Sequence, residues 1–129
     1  MLESTRVQSP DQSSLSNSLV SSIPKTDWEL YIIQLAIDIT REQSPQRLLA
    51  AREKLYELLI NCIPATVIIS TLAMELVKNV DETLKPEVIE AAAFYEHRIA
   101  MGSKEIFHLE AFVAKYMAIY KGYLNKLFA

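Results

Sequence analysis

The sequence predicts an all-α domain, a compact five-helix bundle behind a flexible Ser-rich segment. Three observations carry that reading. Apolar residues recur at helical spacing in five successive stretches, each opened by Ser, Thr or Pro. The connections between the stretches are only a few residues long, so neighbouring helices must pack closely. Only two glycines occur, Gly102 and Gly122, which leaves little material for hairpin turns and argues against a β fold. A chain of 129 residues is long enough for one domain with a real core.

The apolar content is uneven: 7 of residues 1–25 but 58 of residues 26–129. Residues 9–25 hold seven serines, two prolines and no aromatic, a composition that cannot offset the entropy of ordering. The boundary is therefore set at 25/26, with a linker before it and the helical domain over residues 26–129. The first helix opens at Thr26 with Glu29 three positions on, a capping-box pattern, and runs to about Glu42. Ser44 caps the second, with Pro45 at its first position, where a missing N–H costs nothing; it ends near Cys62. Pro64 opens the third, which ends near Val80. Pro86 opens the fourth after an acidic turn, and Gly102 closes it in the left-handed conformation. Ser103 caps the fifth, which reaches about Lys126.

Two helices have informative faces. On the first, Trp28, Tyr31, Ile32 and Leu35 belong to an apolar surface that leaves a narrow polar arc at Gln34, Asp38 and Arg41. Such a helix needs cover on both sides, from its own bundle or from another chain. On the fifth, Ile106, Leu109, Val113, Tyr116, Met117, Tyr120, Leu124 and Leu127 form a wide apolar face. Trp28, Tyr31, Ile32, Leu35, Tyr116 and Tyr120 are the candidate interface residues. Lys104, Lys115 and Lys126 recur every eleven residues on the opposite side of the fifth helix. They form a solvated stripe, or a weak set of phosphate contacts.

Catalytic chemistry finds no footing. No Gly-rich phosphate loop, serine elbow or zinc-protease pattern is present. Glu105 and His108 match one Glu-x-x-His element, but a di-iron bundle needs a second, and Phe94 stands three positions before His97. No catalytic, cofactor-binding or metal-holding residue is assigned. Cys62 is the single cysteine, which excludes an internal disulfide and a thiolate-only zinc site and fits a reducing compartment; its apolar surroundings predict a buried, inert thiol. No stretch is long and apolar enough for a membrane span, and no signal-peptide pattern opens the chain. The net charge of −3 divides as −6 over residues 26–97 and +3 over residues 98–129. That asymmetry fits an acidic partner for the C-terminal element or the packing of one half on the other.

Residues 91–121, AAAFYEHRIAMGSKEIFHLEAFVAKYMAIYK, resemble the C-terminal end of a small subunit of eukaryotic replication factor C, the sliding-clamp loader, of the human subunit 3 and yeast subunit 5 type. Residues 26–64 are similar to the start of the same domain. Met1 to Gln8 look like the tail of the last helix of the family's lid domain, whereas the serine-rich residues 9–25 depart from the family pattern. The resemblance implies an all-α collar domain that joins five subunits into a ring and nuclear localisation. The implied partners are the other replication factor C subunits and, through the complex, the sliding clamp PCNA and primer-template DNA. It also implies that ATP and magnesium belong to modules upstream of residue 1, so that the chain is a fragment, a truncated gene model or a short isoform. The function expected is non-catalytic assembly. The alternative is a stand-alone helical adaptor reusing the collar fold, and direct DNA binding through the lysine stripe ranks below both.

Overall fold

The computed structural model describes residues 27–102 and 104–128. The expected lid-helix tail, the Ser-rich segment, the Thr26 cap and the Ser103 cap lie outside the described residues. Among those described, the elements are five helices: α1 (Asp27–Arg41), α2 (Pro45–Ile60), α3 (Ala65–Lys78), α4 (Lys85–Ala100) and α5 (Glu105–Leu127). No helix among them is long and apolar enough to cross a membrane. The chain divides into residues 1–30 and residues 31–129. In the first unit the description covers the opening turn of α1, where Leu30 is exposed and Trp28 half-buried. The second unit is the bundle.

Local chemistry sets the helix ends. Ser44 is extended (φ −135°, ψ 160°) and its hydroxyl accepts the Arg47 amide at 3.1 Å, with Pro45 in the first turn; this is the predicted cap. Pro64 precedes α3 as its N-cap residue. Before α4, Asp81 holds the turn by accepting from the Thr83 amide at 3.0 Å and the Thr83 hydroxyl at 2.6 Å. Those two bonds, the hydroxyl's foremost, hold the Asp81 carboxyl below its usual range. Gly102, at φ +84°, ends α4 in the left-handed conformation expected of it. The N-cap position of α5 is Lys104, which makes no side-chain cap bond.

Cys62 departs from expectation, being exposed rather than buried. The reason is the way α2 stops. The Ile63 amide donates to the Leu58 carbonyl at 3.1 Å, and the Cys62 amide to the Leu59 carbonyl at 2.9 Å. That pair of bonds is a Schellman cap, which puts its central residue in the left-handed region where glycine is usual. Cys62 takes that position at φ +67°, and the turn carries its thiol outward.

Burial follows the helical period. On α1 the buried set is Ile32, Leu35, Ala36 and Ile39; on α2 it is Ala51, Leu55 and Leu58. Both are single stripes. α3 buries six residues from Ala65 to Leu76, and α5 buries seven, including Phe112 and Ile119, which widen the expected face. α5 packs against α2, α3 and α4, and α3 packs against α4. α1 is tied to α5 by the Tyr116 hydroxyl, fully buried and 2.7 Å from the Thr40 hydroxyl.

The α2 cap generates a stability test. A left-handed L-residue carries roughly 1–2 kcal/mol of steric cost, while glycine's extra freedom in the unfolded chain takes back about 0.4–1 kcal/mol. Cys62→Gly is therefore expected to stabilise the fold, by ~0.5–1 kcal/mol on those two figures. Urea unfolding should show a higher midpoint at unchanged slope; an equal or lower midpoint contradicts the cap.

Candidate functional site

The seam between α1 and α2 runs antiparallel, as its pairs show: Tyr31 with Glu57, and Asp38 with Lys54 at 3.5 Å and Arg47 at 4.0 Å. The Tyr31 hydroxyl donates to the Glu57 carboxylate, and the Lys54 ammonium lies 5.1 Å from the Tyr31 ring centroid. The bond to Glu57, helped by partial burial, pushes the Tyr31 pKa up to about 12. These are partly exposed pairs, which set orientation more than they add stability. Their geometric consequence is that α2 turns one side inward and leaves the other uncovered.

That outer side is apolar. Leu49, Tyr56 and Ile60 are spaced by seven and four residues, so they share one stripe opposite Ala51, Leu55 and Leu58. They are 58%, 43% and 75% exposed. Around the end of α2 the surface continues into a shallow hollow of about 340 Å³ lined by Tyr56, Leu59, Ile60, Lys104, Glu105 and Ile106. Phe107, half-exposed, lies beyond it with the Lys104 ammonium 5.7 Å from its ring. Arg52 bridges the two helices, 3.6 Å from Glu110 on α5 and 5.7 Å from the Tyr56 ring centroid. The arrangement is an apolar strip edged by charges, the anatomy of a protein-binding surface.

A second uncovered face belongs to α1. Ile33 and Ile37, with Thr40 and Arg41, line an open groove of about 610 Å³ whose far wall is Glu75 of α3, Asn79 at its C-cap and Tyr120 of α5. α1 is therefore covered on one side by its own bundle, while its other apolar side lines this groove.

The predicted site residues divide accordingly. Ile32, Leu35 and Tyr116 are at most 1% exposed. Their side chains lie within the chain's own core. Trp28, Tyr31 and Tyr120 retain part of their surface. Tyr120 stacks on Tyr116 with ring centroids 5.9 Å apart. Lys104, Lys115 and Lys126 are all exposed. Lys115, however, shares a hollow with Glu87 and Glu90, whose carboxylates oppose a phosphate there. Sequence reasoning missed Leu49, Tyr56 and Ile60, although two opposed apolar stripes on one helix are visible in α2 and only one of them can face its own bundle.

Among the described residues no group of three or more His, Cys, Asp or Glu is placed to hold a metal ion. The buried or partnered tyrosines with displaced titrations are structural. Burial pushes Tyr116 up to about 12 against the opposing bond from Thr40, and desolvation followed by the Asp81 charge raises Tyr123.

These shifts have an alkaline signature. Tyr31 and Tyr116 ionise near 12 when folded, against about 10 in an unfolded chain. The unfolded state loses its protons first, so their stabilisation is intact below pH ~10 and falls away as pH rises toward ~12. Ultraviolet titration should therefore show late tyrosinate formation in the folded chain, with one late proton removed by Tyr31→Phe and one by Tyr116→Phe. Simultaneous titration of all six tyrosines would contradict the assigned bonds.

Residues 28–124 match the family described as replication factor C subunit 3, C-terminal domain. Replication factor C subunit 5 of Oryza sativa subsp. japonica is 55% identical over 105 residues, covering 81% of this chain and 30% of that protein. Replication factor C subunit 3 of Homo sapiens is 55% identical over 103 residues, covering 80% and 29%. Replication factor C subunit 3 of Arabidopsis thaliana is 49% identical over 127 residues, covering 98% and 34%. A match of that extent takes in the serine-rich residues 9–25. The chain spans about a third of the length of these relatives.

Proposed function

The chain belongs to the replication factor C subunit 3 C-terminal domain family, and from that premise we propose that it is a non-catalytic assembly domain of the clamp loader. Its direct partners are the other replication factor C subunits. The sliding clamp PCNA and primer-template DNA are reached through the complex, in DNA replication and repair, in the nucleus. The chain itself binds no cofactor; ATP and magnesium serve the full-length family members.

The observation that carries this reading is the outward stripe of α2. Leu49, Tyr56 and Ile60 keep 58%, 43% and 75% of their surface exposed, although α2 has a separate stripe for its own core. A helix that spends two apolar stripes has one for a partner. Arg52 and Tyr56 are of the residue types that most often anchor protein interfaces, and they stand together on this face.

The reading is tested with Leu49→Gln combined with Ile60→Gln. Both positions are surface, so far-ultraviolet circular dichroism and the unfolding midpoint should stay close to those of the parent chain. Burying two aliphatic side chains at a contact contributes roughly 2–4 kcal/mol, so affinity for purified clamp-loader subunits should fall by about thirtyfold or more. Unchanged affinity in the double variant, or no binding by the parent chain, would count against the proposal.

A further inference from the structure

The corner between α1 and α2 carries a pattern of a different kind from the apolar faces. Its residues are Glu42, Gln43, Ser44, Pro45, Gln46 and Arg47: a hydroxyl, a proline directly after it, and an arginine three positions on. Proline-directed Ser/Thr kinases accept this pattern. The proline has no N–H to satisfy and fits an apolar site, and the arginine offers a fixed positive charge to an anionic one.

The structure assigns Ser44 as an acceptor for a proline-directed kinase, with the product phosphate held by Arg47 and by the N-terminal end of α2. Ser44 is extended at φ −135° and ψ 160°, the form in which a chain is threaded through an enzyme cleft. Glu42, Pro45 and Gln46 around it are exposed. The first fully buried side chain of α2 is Ala51, so the opening turn can fray to admit an enzyme while the core stays closed.

The surrounding charges are already arranged for exchange. The Ser44 hydroxyl donates to Glu42 at 2.6 Å, and the Arg47 guanidinium lies 3.3 Å from Glu42 and 4.0 Å from Asp38. The Arg47 Nε is buried and has no hydrogen-bond partner, leaving one donor uncommitted. In the transfer, Ser44 Oγ bonds to the γ-phosphorus of ATP and the bond from that phosphorus to its bridging oxygen breaks. ADP leaves, and the hydroxyl proton passes to the kinase's base. The bond to Glu42 then has no proton, and two negative groups face each other. Arg47 moves from Glu42 to the phosphate, which the positive end of the α2 dipole also favours.

The experiment uses the 129-residue chain, ATP and a purified cyclin-dependent kinase, with the site located by mass spectrometry. Ser9 is an internal control: Pro10 follows it, but Gln12 stands where Arg47 stands for Ser44. Phosphate is expected at Ser44 and lost in both Ser44→Ala and Pro45→Ala; the latter keeps the hydroxyl and its cap. Phosphorus NMR then reads the holding groups, with Arg47 and the helix end favouring the dianion and Glu42 and Asp38, itself paired with Lys54, opposing it. The phosphoserine should titrate below its value in the urea-unfolded chain, and Arg47→Ala should move it above that value. No phosphate at Ser44, incorporation indifferent to Pro45→Ala, or a titration unmoved by Arg47→Ala would each overturn the assignment.

Discussion

The bundle depends on how Tyr116 is housed. Its ring has no exposed surface, and its hydroxyl meets that of Thr40 at 2.7 Å. A phenol buried without a partner would cost about 1–3 kcal/mol, so the position of Tyr116 on α5 dictates where Thr40, and with it the end of α1, must lie. α5 meanwhile packs on α2, α3 and α4. A helix of 23 residues, roughly 35 Å long, can serve several neighbours at once. The price is that its neighbours share one covering partner and cannot all be covered themselves.

The uncovered surfaces follow from that constraint. α2 packs on α5, buries Ala51, Leu55 and Leu58, and meets α1 through charged pairs, leaving Leu49, Tyr56 and Ile60 outside. α1 reaches the core through Ile32, Leu35, Ala36 and Ile39, leaving Ile33 and Ile37 along the groove. These are not packing failures. Each set keeps the helical spacing of a single face, and each is bordered by charged side chains. The bundle buries enough apolar surface to fold and leaves enough outside to meet a partner.

Much of this was legible in the sequence. The all-α fold, the Ser44 and Gly102 caps and the five helices follow from punctuation and period, because those depend on neighbouring residues alone. The surplus of apolar residues on α1 was also visible. Which of them face outward was not, since Ile32 and Ile33 are the same residue in adjacent positions, and only the placement of α5 decides between them. Cys62 failed for a related reason: an apolar neighbourhood suggested burial, but the chain at that point is a left-handed turn, and no glycine marks it. The α2 stripe went unread because only the faces of the first and fifth helices were followed, and nothing local to α2 says which of its two apolar stripes meets the bundle.

The proposed assembly role requires that a neighbouring subunit cover the outward face of α2. Hydroxyl-radical footprinting of the chain, alone and within an assembled clamp loader, measures that directly. In the free chain Leu49, Tyr56 and Ile60 should be oxidised while Tyr116 is spared. In the assembly all three should be strongly protected, with Tyr116 unchanged. Equal oxidation of Tyr56 and Ile60 in both states would contradict it, whatever other surface proved to be protected.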